Sequence, residues 1–216
     1  MPTDLVYLVD IDNTLLDNDA VVADLKRFLV AGFGVQGEQR YWAIFEVLWQ
    51  ELGYADYLGA FQRFRVERPC DPQAIRAAQF LLNYPFADRV FPGALDALAE
   101  LRRRATVVIL SDGDAVAQPA KAARSGLQDA VGGAVLIYIH KEQMLDDVEL
   151  RYPARHYVVV DDKVRILAAI KAIWRERVTT VFVRQGSYAM NRAEVARYPA
   201  ADVAIDQIGE IARVAL

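Results

Sequence analysis

The chain has 216 residues, 54% of them hydrophobic, enough to bury the core of one substantial domain or of a domain with an insertion, which excludes a disordered protein. Its 25 basic and 29 acidic residues leave a formal charge of -4 with no basic block to track a phosphodiester backbone, so nucleic acid is not an expected partner. The single cysteine, Cys70, excludes an intrachain disulfide and a thiolate metal cluster; it fits a reducing compartment and is expected to be a partly buried, inert thiol.

The opening MPTDLVYLVD has neither the basic flank nor the small-residue cleavage site of a signal peptide, and no apolar stretch reaches the roughly 18 residues of a membrane span. A soluble, cytoplasmic protein without a membrane partner is expected. The first apolar run, LVYLV (5–9), predicts a strand and ends in four aspartates within ten positions, Asp10, Asp12, Asp17 and Asp19. From about residue 16 to 90 no strand pattern appears. Apolar residues recur there at helical spacing, as in Tyr41, Phe45, Leu48 and Leu52, with Trp42 and Trp49 on an adjacent stripe, and this aromatic cluster reads as helix packing rather than as a ligand platform. Pro69, Pro72, Pro85 and Pro92 punctuate the later part, and FPG (91–93) marks the return to the main domain.

Beyond it, ATVVIL (105–110), AVLIYI (134–139), HYVVV (156–160), TTVFV (179–183) and a weaker VAI (203–205) predict further strands, with amphipathic helices at about 93–104, 115–125, 163–176 and 207–215. Continuous rather than alternating apolarity is what strands covered on both faces show. The chain therefore reads as an α/β protein, a Rossmann-like parallel sheet with helices on both faces, built from 1–15 and 90–216, with an inserted helical cap domain at 16–89.

Ligands of open parallel sheets bind beyond the carboxyl ends of the strands. There the sequence puts Asp10 and Asp12, then Ser111-Asp112-Gly113, then His140 and Lys141, then Asp161-Asp162. Singly, each has a local reading: the aspartates as turn formers or helix caps, Asp162 as a cap for the helix starting near Lys163, Lys141 as a solvated lysine, and the two histidines as structural or exposed. Four successive strand ends bearing such groups in one order point to chemistry instead.

That order resembles the haloacid dehalogenase superfamily, specifically its magnesium-dependent phosphatase branch with a helical cap after the first motif. VDIDNT is similar to the family's Asp-x-Asp-x-Thr, VVILSDG to its second motif, Lys141 stands where the third-motif lysine is expected, and VVVDD matches the two-acid form of the fourth. Two positions depart from the pattern. Arg165 and Ile166 occupy places where a further acid is common, and Glu142 follows Lys141 where proline is frequent, which keeps Lys121 in QPAKAARSGL as a second candidate for the basic role.

The resemblance implies Asp10 as the nucleophile that forms an aspartyl phosphate, Asp12 as the acid and base, Ser111 and Lys141 as phosphate contacts, and a metal held by Asp10, Asp12, Asp161 and Asp162, the backbone carbonyl of Asp12 also serving. Backbone N–H groups of Asp112 and Gly113 are expected to help Ser111. Electrostatics argues for the same metal: four converging carboxylates against one lysine leave three net negative charges, which a hard divalent cation such as Mg²⁺ relieves. The cap arginines Arg40, Arg63 and Arg65 read as a solvated helix face rather than as substrate ligands.

The expected activity is hydrolysis of a small phosphate monoester. A phosphomutase is the nearest alternative. A dehalogenase has no leaving alcohol to protonate and, by the resemblance, no counterpart of Asp12. A phospho-accepting receiver would carry its acidic pair and lone aspartate in the reverse order, and an inactive hydrolase-fold binding protein would not need an intact Asp-x-Asp pair. The motifs encode neither the substrate's identity nor the oligomeric state.

Overall fold

A computed structural model describes residues 3–214. Met1, Pro2, Ala215 and Leu216 lie outside the described residues, and with them the start of the opening decapeptide and the end of the helix expected at 207–215. Among the described residues no helix is long and apolar enough to cross a membrane.

Six strands, β1 (Thr3–Val9), β2 (Thr106–Asp112), β3 (Val135–Tyr138), β4 (Ala154–Asp161), β5 (Val178–Val183) and β6 (Val203–Ile205), form one parallel sheet in the order β3-β2-β1-β4-β5-β6. The alternation of side chains explains why their sequences are apolar throughout. Val6 and Leu8 point into a core with Val108, Leu110 and Val159, while Tyr7 and Val9 point into the opposite core with Val107, Ile109, Val158 and Val160. Strand order reverses between β1 and β4, so a crevice opens beyond their carboxyl ends, where Val9 is in register with both Ile109 and Val160.

Three helices, α1 (Asn18–Leu52), α2 (Tyr57–Val66) and α3 (Gln73–Leu82), make up the insertion. Asp17 starts α1 by accepting the Ala20 N–H at 2.9 Å, and Gly53 ends it in the left-handed conformation. Gly34 breaks α1 internally with φ 70° and ψ 175°, a backbone that glycine adopts readily. Tyr41, Phe61 and Phe64 are buried against one another and extend the core on the Tyr7 and Val9 face of the sheet into the insertion. Two strands of linker join it to the sheet side by side: Asp17 N–H donates to Arg89 O at 2.8 Å and Phe91 N–H to Leu15 O at 2.9 Å.

The remaining helices are α4 (Ala94–Arg104), α5 (Ala117–Arg124), α6 (Leu127–Ala130), α7 (Leu145–Arg151), α8 (Val164–Trp174), α9 (Gly186–Met190) and α10 (Arg192–Val195). The C-terminal helix expected at 207–215 is instead a 3₁₀ segment, Ile208–Arg213. Its buried residues, Ile208 and Ile211, are three apart, the spacing that eclipses on a three-residue turn, and Gly209 passes close to Gly93. Cys70 is exposed, against the expectation of partial burial, because it sits in the turn between α2 and α3 closed by Asp71 N–H on Arg68 O.

Candidate active site

β1 stops at Val9, and the chain turns immediately: the N–H groups of Thr14, Leu15 and Leu16 all converge on Ile11 O, with Asn13 left-handed at φ 60°. Asp10 N–H still donates to Val160 O at 3.0 Å, which fixes Asp10 beside the end of β4. Asp10, Asp161 and Asp162 are all buried and offer carboxylate oxygens within 4.8 Å of one another. Lys141, brought in by the turn after β3, lies between two of them, its Nζ 2.6 Å from Asp10 Oδ1 and 2.6 Å from Asp161 Oδ2, and it also donates to Leu110 O at 3.1 Å.

Burial opposes the charge on Lys141, but Asp10, Asp161 and Asp112 outweigh it and hold the ammonium above the ordinary lysine range. Burial pushes the carboxyls of Asp161 and Asp162 upward, Asp162 strongly, with Asp161 adding to the effect on Asp162. Asp112, whose Oδ1 accepts the Lys141 N–H at 2.7 Å, is pushed up to about 6, chiefly by burial. Asp10 Oδ2 and both oxygens of Asp162 are buried with no hydrogen-bond partner. Asp162 therefore does not cap the following helix; it is Asp161 that accepts the Lys163 N–H, at 2.8 Å. Orphaned carboxyl oxygens at this depth cost several kcal/mol by order of magnitude, and three of them around one point are the donor set that a hard cation satisfies.

Asp12 is brought next to this cluster but not into it. Its side chain, 25% exposed, accepts from Lys121 Nζ at 2.5 Å through Oδ1 and from Gln118 Nε2 at 3.3 Å through Oδ2. Gln118 also donates to Ser111 Oγ at 2.9 Å, and Ser111 Oγ donates in turn to Asp10 Oδ1 at 3.3 Å, so the two aspartates of the first motif communicate through a serine and a glutamine. The two candidate lysines thus hold different acids. Of the backbone donors expected beside Ser111, the Gly113 N–H is committed to the sheet, donating to Tyr138 O at 2.9 Å. Gln118 was not singled out in the sequence, although it stands one helical turn before Lys121 in QPAK, a spacing that puts both side chains on one face of α5.

The two departures from the family pattern meet. Arg165 Nη1 lies 2.7 Å from Glu142 Oε1, and although burial opposes it, this guanidinium holds the Glu142 carboxyl below its ordinary range. The pair fastens the turn carrying Lys141 to the start of α8. Since Arg165 is about half exposed, Arg165→Met is expected to cost about 1–2 kcal/mol, mostly from stranding the buried Glu142, and the Glu142→Gln/Arg165→Met double variant less than the sum. A thermal-denaturation double-mutant cycle measures this; additive effects would remove the pair from the support of Lys141.

Arg40 and Arg63 pair with Glu67 and Glu51 on the surface, and neither they nor Arg65 line the cavity above the acids. The aromatic cluster of the insertion divides: Tyr41, Phe61 and Phe64 are core, whereas Trp49, Tyr54 and Tyr57 face the cavity, because α1 ends at Gly53 directly against His140.

Buried acids around a lysine at the switch point of a parallel sheet, under a helical insertion, define a hydrolase centre on a Rossmann-like scaffold. The chain belongs to the haloacid dehalogenase-like hydrolases, whose family pattern matches residues 6–173. It is 58% identical to a haloacid dehalogenase-like hydrolase from Burkholderia xenovorans LB400, with all of both chains covered and a TM-score of 0.95. L-2-haloacid dehalogenase from Xanthobacter autotrophicus shares the fold at 18% identity and a TM-score of 0.64, covering 99% of this chain and 98% of that one. The HAD-hydrolase YfnB from Bacillus subtilis, bound to magnesium, does so at 14% identity and 0.64, with the same coverage. No curated protein matches the chain.

Proposed function

We propose that the protein is a Mg²⁺-dependent phosphatase that hydrolyses a small phosphate monoester through a phosphorylated Asp10. The observation that carries this reading is the separation of two acid sets: buried Asp10, Asp161 and Asp162 with orphaned oxygens, and Asp12 held apart by Lys121 and Gln118. Displacement of halide from a haloacid needs no proton donor for its leaving group, whereas an ester does.

Asp10, Asp161 and Asp162 would hold the cation, a role in keeping with the magnesium bound to YfnB. When bound, the cation supplies positive charge that offsets repulsion between the phosphate and these carboxylates. Asp10 attacks phosphorus as the ester P–O bond breaks, and the departing alkoxide takes a proton from Asp12. In the second half, Asp12 removes a proton from water as that water attacks phosphorus, and the Asp10 carboxylate leaves with inorganic phosphate released. Asp12 Oδ2, on the longer of its two contacts, is the oxygen free to exchange the proton. Lys141 and Ser111 orient Asp10 and donate toward the transferring group.

The test is a panel of phosphate monoesters and 2-haloacids assayed with Mg²⁺ and with chelator, on the wild type and Asp12→Asn. Phosphate release that is lost on chelation and falls by about 10²–10⁴-fold in Asp12→Asn is expected. Halide release with no phosphate release would replace the reading with a dehalogenase.

A further inference from the structure

Above the acids lies a cavity of about 520 Å³, within the range of small-molecule sites, roofed by the insertion and floored by the strand ends. Its two walls differ in chemistry. Every charged side chain in the lining comes from the strand-end side or from the segment after β5; the insertion contributes none. What it contributes is Val21, Val22, Leu25, Trp49, Tyr54 and Tyr57, with a single amide, Asn18. That amide is already engaged, since Asn18 Oδ1 accepts from Lys121 at 2.9 Å.

Two of the three lysine and arginine cations on the other wall are also committed. Lys121 is paired with Asp12 and Arg165 with Glu142. Lys163, whose Nζ lies 4.8 Å over the Tyr188 ring, has no carboxylate within ion-pairing distance among the described residues, and it follows Asp162 directly, at the end where the phosphate would sit. A second anionic group on the insertion side would find no counter-charge, and a polyhydroxylated group, whose hydroxyls could pair only on the strand-end wall and the segment after β5, would press the others against valine, leucine and aromatic faces. An aromatic guest would be matched: Trp49 is 45% exposed and Tyr188 50% exposed although both line the cavity, and Tyr57 is backed by Phe45, stacked at 4.8 Å, so the roof is preformed.

We propose that this cavity selects phosphate monoesters of an uncharged aromatic alcohol or phenol over sugar phosphates and nucleotides. The inference rests on the phosphatase reading for its chemistry but not for its binding preference, and the two are tested apart.

Binding of benzylphosphonate and methylphosphonate, which cannot be hydrolysed, is measured by calorimetry with Mg²⁺ present, alongside kcat/KM for benzyl phosphate, glucose 6-phosphate and adenosine monophosphate. The benzyl compound is expected to bind at least about tenfold tighter, with benzyl phosphate preferred over the other two esters by a similar or larger factor. Trp49→Ala should shrink the benzyl advantage severalfold, and Val22→Arg, which adds a cation to the apolar wall, should shift preference toward the nucleotide. Equal binding of the two phosphonates, or preferred turnover of glucose 6-phosphate, would overturn the aromatic assignment while leaving a phosphatase in place. Selective benzylphosphonate binding with no ester hydrolysed would support the cavity assignment and reject the phosphatase reading.

Discussion

Asp10→Asn is expected to lose phosphate release by at least about 10⁴-fold, the largest effect of any single exchange in the site. The amide keeps the shape and one acceptor oxygen, so Lys141 Nζ can still bond at the Oδ1 position while Asp161 Oδ2, 2.6 Å from the same ammonium, continues to balance its charge. Folding should therefore survive. What disappears is the anionic oxygen that, on the phosphatase proposal, attacks phosphorus; a neutral amide forms no acyl phosphate. Acid-quenched labelling of the chain with a radioactive ester separates this from a mere weakening of binding, because the wild type should show transient label and the variant none. Residual turnover within tenfold of the wild type would remove Asp10 from the nucleophile's role.

How much of this could be read before any coordinates follows from burial. The strands announce themselves because both faces are covered, so LVYLV and HYVVV are apolar without interruption, and each run ends at the carboxyl edge of the sheet, where the chain passes from the apolar layers to the buried acids of the site. Helix α7 escaped notice because LDDVELR is too short to show a period, with only Leu145 and Val148 buried. The break at Gly34 falls in GFGVQG, whose three glycines are its only mark, set within a run of apolar spacing that reads as continuous helix. Local sequence also misdirects at Asp12. Alternation along an extended backbone would aim it with Asp10, yet the strand has ended and the turn around Ile11 O sends it to α5 instead. Glu142 and Arg165 look like two separate losses along the chain, and only the fold, which brings the turn after β3 against α8, makes them one ion pair.

A second large effect is expected on stability rather than turnover. Asp162→Asn is expected to raise the melting temperature of the metal-free protein, since both Asp162 oxygens are buried, unpartnered and next to the Asp161 carboxylate. Replacing an uncompensated buried acid by a neutral amide should gain about 1–3 kcal/mol, or roughly 2 to 4 °C for each kcal/mol in a chain of this size. Mg²⁺ should reverse the ranking. At a hundred times its dissociation constant a ligand adds about 2.7 kcal/mol to the wild type, while the variant, having lost a donor, should respond far less. On the phosphatase proposal, an uncompensated acid that a cation would satisfy is stability given up for function. Thermal scans of both proteins with chelator and with Mg²⁺ decide the matter. A variant that is less stable without metal, or that gains as much from Mg²⁺ as the wild type, would show that Asp162 is satisfied by the fold and is not waiting for an ion.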